Sequence, residues 1–124
     1  MNKPILDLSY LVETSSGDSQ YIYEVLTIFI DSFPVGLNNL EKLIKTTNDF
    51  QAIHKQAHSL KSSASVVKIK DVYEAISKID ALSRQSIGKE EIVANMELVL
   101  SNFSKALPLI QSERRKILQS YPAK

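Results

Sequence analysis

The stretch from Asp49 to Val67 reads DFQAIHKQAHSLKSSASVV and contains both histidines of the chain. At about 100° per residue, its apolar side chains fall within one arc, which is the pattern of a helix that packs one side against a core. These apolar residues are Ile53, Ala57, Leu60, Ala64 and Val67. The opposite arc is polar, because steps of three and four residues place its side chains one above another. It consists of His54, His58, Lys61, Ser62 and Ser65.

A long helical pattern precedes this stretch. It begins at Tyr21, and its apolar residues are Ile22, Val25, Leu26, Phe29, Ile30, Phe33, Leu37, Leu40, Leu43 and Ile44. Proline inside a helix usually kinks or ends it, at about 3 kcal/mol. Because the apolar stripe keeps its phase across Pro34, we predict one long kinked helix and not two helices. The turn Thr46–Asn48 then leads into the histidine helix.

Two more helical patterns follow. The first is buried along Ile69, Val72, Ile76, Ile79 and Leu82 and ends at Ser86-Ile87-Gly88. The second starts near Lys89, with a kink predicted at Pro108 and a late turn at Ile117-Leu118. Its apolar residues are Ile92, Val93, Met96, Val99, Leu100, Phe103, Leu107 and Ile110.

A short helix is predicted at the amino end, from about Asp7 to Glu13, before a polar break that offers Asp18 or Ser19 as the next N-cap. No alternation of period two and no Asn-Gly or Asp-Gly hairpin turn occurs in the sequence. The sequence therefore predicts an all-α protein: an antiparallel up-down four-helix bundle with a short additional N-terminal helix.

Composition restricts the classes of function. The 124 residues fit one domain, 1–124, and 15 Lys+Arg against 14 Asp+Glu give a net charge of +1, with no cysteine. This balance gives no reason to expect nucleic acid or a membrane surface as a partner. No apolar run approaches the ~18 residues of a membrane span, and no signal-peptide core is present. We expect a cytoplasmic protein.

Several chemistries can be compared for the histidine stripe. Ordinary solvated histidines stay an open interpretation from spacing alone. A zinc-protease motif needs Glu directly after the first histidine, where this chain has Lys55, and no cysteine completes a tetrahedral site. No Gly-x-Ser-x-Gly elbow or glycine-rich phosphate loop is present. A nucleophilic histidine fits better, because neutral imidazole is available near neutral pH and Lys61, at i+3 from His58, can offset phosphoryl charge.

The residues from Ala57 to Ala64, AHSLKSSA, resemble the signature Ala-His-x-Leu-Lys-Gly-Ser of histidine-containing phosphotransfer (HPt) domains. The resemblance extends from roughly Asp18 to Leu82. Its further matching positions are Phe29, Leu37, Leu40, Asp49, Val72, Ile76 and the pair Ile79-Asp80. It implies a four-helix bundle whose exposed histidine takes a phosphoryl group from the aspartyl phosphate of one response-regulator receiver domain and passes it to the aspartate of another.

The resemblance also implies roles for individual residues. His58 would be the phosphoacceptor and Lys61 the cation beside the phosphoryl group. Asp80 aligns with a Glu or Gln of the family and could orient the imidazole, although its side chain is shorter, and a solvated helix charge stays the alternative. Ser62 stands where the family most often has glycine and adds bulk where a partner approaches. With His54 and Ser65, it is predicted to contact the partner.

We therefore expect a monomeric phosphocarrier without a cofactor of its own, served by receiver domains and a sensor or hybrid histidine kinase. The receiver would supply magnesium and most of the catalytic machinery, since no nucleotide-binding loop and no Asp or Asn cluster for magnesium is present. Two alternatives stay open. One is a helical interaction module that binds a receiver or another signalling partner without phosphoryl transfer. The other is a kinase-linked dimerisation domain, which would need a second chain and an ATP-binding domain.

Overall fold

The structure is a computed structural model and describes residues 3–120, so the ends of the predicted domain 1–124 lie outside the described residues. Five helices and one pair of very short strands are present in the described part. In chain order they are β1 (Leu6–Asp7), α1 (Ser9–Thr14), α2 (Ser19–Thr46), α3 (Phe50–Val66), β2 (Lys68–Ile69), α4 (Val72–Arg84) and α5 (Lys89–Ser120).

The four long helices form the predicted bundle. Helix α3 packs against α2 and α4, and α5 packs against α4 and α2, so each helix contacts its two neighbours in a closed ring. Short connections join consecutive helices, which makes them antiparallel. The apolar stripes read from the sequence meet inside this ring, and the largest fully buried side chains include Phe33, Leu37, Ile53 and Ile76. No helix of residues 3–120 is both long and apolar enough to cross a membrane.

Two acidic side chains begin the helices around the site. Asp18 Oδ1 accepts from the backbone N–H of Tyr21 at 3.2 Å and starts α2. Asp49 Oδ1 accepts from the N–H of Ala52 at 3.0 Å and starts α3. Each cap satisfies one of the amides that have no partner within the helix. The start of α3 fixes which of its residues face the core.

Helix α2 continues through Pro34 and α5 through Pro108, so the prediction of one long helix across Pro34, and not two helices, is confirmed. A close approach to α3 follows at Gly36. A Cβ placed there would lie 2.5 Å from Leu60 Cδ2, and Gln56 Nε2 donates to the Gly36 carbonyl at 3.2 Å. The absence of a side chain at Gly36 therefore allows α2 and α3 to pack closely beside the histidine stripe.

Two details of the sequence prediction were wrong. The first helix spans Ser9–Thr14 and not Asp7–Glu13. Ile69 belongs to β2 and not to the next helix, which begins at Val72. Both errors have one cause: Leu6 pairs with Ile69 and Asp7 with Lys68 in an antiparallel bridge. Strands of two residues are too short to produce an alternating pattern, and their partner is far away in the chain.

Candidate functional site

Helical spacing places His54, His58 and Lys61 on one face of α3. Ala57 and Leu60 lie on the opposite face and are buried against the neighbouring helices. The two imidazole ring centroids are 5.8 Å apart. The His58 side chain is 64% exposed, whereas the side chains of His54 and Lys61 are 26% and 29% exposed. His58 is therefore the histidine of this face that is open to a large partner.

Asp80 is the centre of the site. It lies on α4, facing α3, with only 2% of its side chain exposed. Its Oδ2 lies 3.4 Å from His58 Nδ1 and 3.3 Å from Lys61 Nζ, and its Oδ1 lies 2.5 Å from His54 Nδ1. The structure thus brings together four of the residues that the sequence singled out.

A further basic residue belongs to this cluster. Arg84, one turn after Asp80 on α4, places Nη2 3.6 Å from Asp80 Oδ2, and its side chain is 61% exposed. Arg84 was not among the site residues predicted from the sequence. An acidic residue followed by a basic one at i+4 on a predicted helix is the signal that could have identified it.

The electrostatics of Asp80 follow from these contacts. Burial raises the pKa of the Asp80 carboxyl, but hydrogen bonds from His58 and Lys61 and the close contact with the His54 ring outweigh burial, and the pKa lies below its usual value of 3.8. Asp80 is therefore ionised near neutral pH. A carboxylate that accepts from His58 Nδ1 keeps a hydrogen on that nitrogen and leaves Nε2 as the ring's nucleophilic nitrogen.

The two predicted partner-contacting serines differ. Ser62 is exposed. Ser65 is half-buried, and its hydroxyl donates to the Ser62 carbonyl at 2.6 Å. Ser62 also lines a groove of about 280 Å³ between α2 and α3. The far wall of the groove is α2, from which Tyr21 and Ile28 project with 50% and 65% of their surfaces exposed.

Among residues 3–120, no group of three or more His, Cys, Asp or Glu side chains is arranged to hold a metal ion. The site brings together one exposed imidazole, one buried carboxylate 3.4 Å from it, and two cations that contact this carboxylate. This set of groups is suited to accepting and holding an anionic group on His58.

A ring of four helices with an exposed, carboxylate-anchored histidine on one of them defines a class of helical carrier domain. Comparison with known families gives the same class: the Hpt domain model matches residues 24–111, which is most of the chain. The chain belongs to the Hpt domain family. Members of this family are phosphocarriers that act by histidine phosphotransfer in phosphorelays, and they interact generally with receiver domains and histidine kinases.

The fold agrees with this membership. The crystal structure of a rice protein assigned as a histidine-containing phosphotransfer protein superposes with a TM-score of 0.69 at 19% identity, over 93% of this chain and 83% of the rice chain. At this identity the likeness concerns the fold. No curated protein is similar enough in sequence to count as a relative.

Proposed function

We propose that this protein carries a phosphoryl group on His58, taking it from the aspartyl phosphate of one receiver domain and giving it to the aspartate of another. One observation supports this role most directly. The His58 side chain is 64% exposed, yet its Nδ1 lies 3.4 Å from the buried Asp80 Oδ2. The ring is thus held at one nitrogen and open at the other.

The transfer is a nucleophilic displacement at phosphorus. The Nε2 lone pair of His58 forms the N–P bond, while the P–O bond to the receiver's aspartate breaks and its electron pair returns to that carboxylate. The hydrogen on Nδ1 stays in place during this step, so the ring becomes positively charged. The Asp80 carboxylate faces that charge and stabilises it. The reverse displacement on a second receiver restores neutral His58.

Two cations stabilise the transferred group. A phosphoryl group on His58 brings a charge of up to about −2. Lys61 Nζ and Arg84 Nη2 lie 3.3 and 3.6 Å from Asp80 Oδ2, the oxygen that is also 3.4 Å from His58 Nδ1. At an effective dielectric near 20, one such contact contributes at most a few kcal/mol, and less where salt screens it. The cations hold the phosphorylated state without hydrolysing it.

The remaining machinery belongs to the partner. In this proposal the receiver supplies magnesium and most of the catalytic groups, and this chain has no cofactor of its own. The one carboxylate of the cluster is not free to act as a general base for water, since it already contacts His54, His58 and Lys61. The phosphohistidine therefore persists until a receiver takes it.

The receiver docks on the surface formed by the histidine face of α3 and an apolar stripe of α2. Tyr21, Ile28 and Val35 recur every seven residues on α2, which places them on one face, and they are 50%, 65% and 57% exposed. The groove between Ile28 and Ser62 connects this stripe to the histidine face. Ser62 lines the α3 side of this groove. Ser62 lies one helical turn from His58, which supports a receiver domain as the occupant of this groove.

The experiment is transfer from a panel of phosphorylated receivers to the wild-type protein, to His58→Gln, and to Lys55→Gln as a matched control on an exposed residue of α3. We expect an acid-labile, base-stable label on the wild type and on the control, and none on His58→Gln. The mass in solution should be that of a monomer. Receivers that bind the folded protein without labelling it would instead establish the interaction module, and a stable dimer would favour the kinase-linked dimerisation domain.

A further inference from the structure

His54, the less exposed histidine of α3, makes the shortest contact of the site. His54 Nδ1 and Asp80 Oδ1 lie 2.5 Å apart. Both atoms are shielded from solvent, and neither makes a well-aligned hydrogen bond to any atom of the described residues. No other hydrogen-bond partner satisfies either atom among the described residues. His54 Nδ1 and Asp80 Oδ1 are therefore each other's only polar partner among the described residues.

Chemistry fixes the hydrogen on this nitrogen. A bare imidazole lone pair facing a carboxylate oxygen at this distance would be repelled, so Nδ1 of His54 carries a hydrogen whether the ring is neutral or charged. His54 thus presents a donor to Asp80 Oδ1 in both states. A buried carboxylate oxygen without such a donor would be unfavourable by about 1–3 kcal/mol.

The two oxygens of Asp80 consequently have different partners. Oδ1 faces His54 alone, and Oδ2 faces the groups around the phosphoryl position. The charged and titratable groups that face Oδ2 are His58 and Lys61 from α3 and Arg84 from α4. If His54 offered no donor, the carboxylate would turn to satisfy the buried oxygen with Lys61 or Arg84, and its contact with His58 Nδ1 would be lost.

We infer that His54 is a positioning residue of the phosphotransfer site: by donating to Asp80 Oδ1, it directs Oδ2 to His58 Nδ1 and so holds the nucleophile in its Nδ1–H form. This inference rests on the proposed function of His58. It adds to His54 a role distinct from contact with the partner, because the atom involved is buried.

Three variants test the inference. His54→Leu removes the donor. His54→Asn keeps one, because the asparagine amide nitrogen is the same number of bonds from the backbone as Nδ1, but it cannot titrate. Lys55→Leu places the same side chain at the neighbouring exposed position and controls for the effect of leucine on α3. Circular dichroism and urea unfolding establish that each variant is folded before it is assayed.

Two readouts are needed. The first is the single-turnover rate of phosphoryl transfer from a labelled receiver. The second is the tautomer of His58 in the unphosphorylated protein, read from ¹⁵N–¹H NMR spectra of the ring, which a purely structural role of His54 would not change. We expect His54→Leu to slow transfer about tenfold and to lower the Nδ1–H fraction of His58, with His54→Asn within about threefold of the wild type in rate.

Each result decides the matter. An unchanged His58 tautomer in His54→Leu overturns the inference, and so does a His54→Asn protein that behaves like His54→Leu in both readouts. If no receiver of the panel labels the wild type, the proposed function is refuted, but the positioning of His58 by His54 is not. In that case the NMR comparison alone still determines whether His54 orients His58 through Asp80.

Discussion

Lys61 on α3 and Asp80 on α4 are joined by a 3.3 Å contact between Nζ and Oδ2. Lys61, one helical turn from His58, is therefore already paired before any phosphoryl group arrives. Since the phosphoryl oxygens and the carboxylate compete for the same ammonium group, the stabilisation of the phosphorylated state is the difference between two contacts and not the full energy of one. The replacement of a carboxylate contact by a phosphoryl contact therefore determines how strongly each cation affects transfer.

Replacing Lys61 with Gln removes the cation and keeps a side chain of similar length. We expect transfer to His58 to slow by about tenfold, because a contact of this kind contributes on the order of 1–2 kcal/mol in a partly exposed position. Single-turnover assays at roughly 0.05 and 0.5 M salt measure it. The loss should be smaller at high salt, where the wild-type contact is itself screened. A rate equal to that of the wild type at both salt concentrations would contradict this role.

Arg84→Gln should have a weaker effect, about two- to threefold in the same assay, because the Arg84 side chain is 61% exposed, against 29% for Lys61. Its salt dependence should be the steeper of the two, since solvent reaches the guanidinium more freely. The double variant tests whether the two cations act on one group. If they do, the two effects will not add. Additive effects would indicate that Arg84 acts on the receiver instead.

Asp80→Asn should lower stability at neutral pH by about 1 kcal/mol, because charge-assisted hydrogen bonds are lost. Despite the burial that raises it, the pKa of the Asp80 carboxyl lies below 3.8 in the folded protein, because His58 and Lys61 donate hydrogen bonds and the His54 ring is in close contact. The stabilisation is therefore present above the unfolded-state pKa of about 3.9 and is lost as the pH falls through the lower folded-state pKa.

Urea unfolding of the wild type and Asp80→Asn between about pH 6 and pH 2 tests this sign. Below about pH 5 the difference in free energy of unfolding should shrink as the pH falls. Asp31→Asn, at an exposed position of α2, serves as the control for general protonation. A difference that grows as the pH falls would show that burial dominates and that the carboxyl pKa is raised.

Gly36→Ala should destabilise the bundle, although alanine is the better helix former. The added Cβ would lie 2.5 Å from Leu60 Cδ2, so α2 and α3 must move apart or Leu60 must change rotamer. We expect a loss of about 1–2 kcal/mol. Asn38→Ala, at an exposed position two residues away, should change stability by less than about 0.5 kcal/mol. Combining Gly36→Ala with Leu60→Ala should cost less than the sum of the single changes.

Ile28→Asp should weaken receiver binding without unfolding the protein, because the Ile28 side chain is 65% exposed and projects from α2 beside the groove. A buried charge at a docked interface costs binding energy, and we expect at least about a tenfold rise in Kd. Leu98→Asp, on α5 and 40% exposed, is the matched control. Calorimetry with a receiver that labels His58 measures both. If both variants weaken receiver binding equally, the receiver does not dock on the α2 stripe.

Much of α3 could be predicted from the sequence, because its properties follow from helical spacing. The burial of Ile53 and Ala57 and the alignment of His54, His58 and Lys61 need only 3.6 residues per turn. The bundle itself was also predictable, since each apolar stripe needs a partner and short connections leave few arrangements.

What the sequence could not give is the relation between helices. The motif resemblance aligned Asp80 with an imidazole-orienting residue, but its burial and its contacts with both histidines depend on how α4 is rotated against α3. The pairing of Leu6 with Ile69 likewise depends on where two distant segments meet. Periodicity describes one helix at a time, whereas these contacts depend on how two segments are placed relative to each other.

His58 lies on the outside of one helix, 64% exposed, and no second phosphoacceptor is proposed on that face. Under the proposed function, donor and acceptor receivers must then bind the same surface around His58, one after the other. A high concentration of unphosphorylated donor would occupy the carrier and delay its discharge. The kinetics should therefore be ping-pong with mutual inhibition, and the ratio of the two receivers in the cell would set the flux of the relay as strongly as the chemistry at His58.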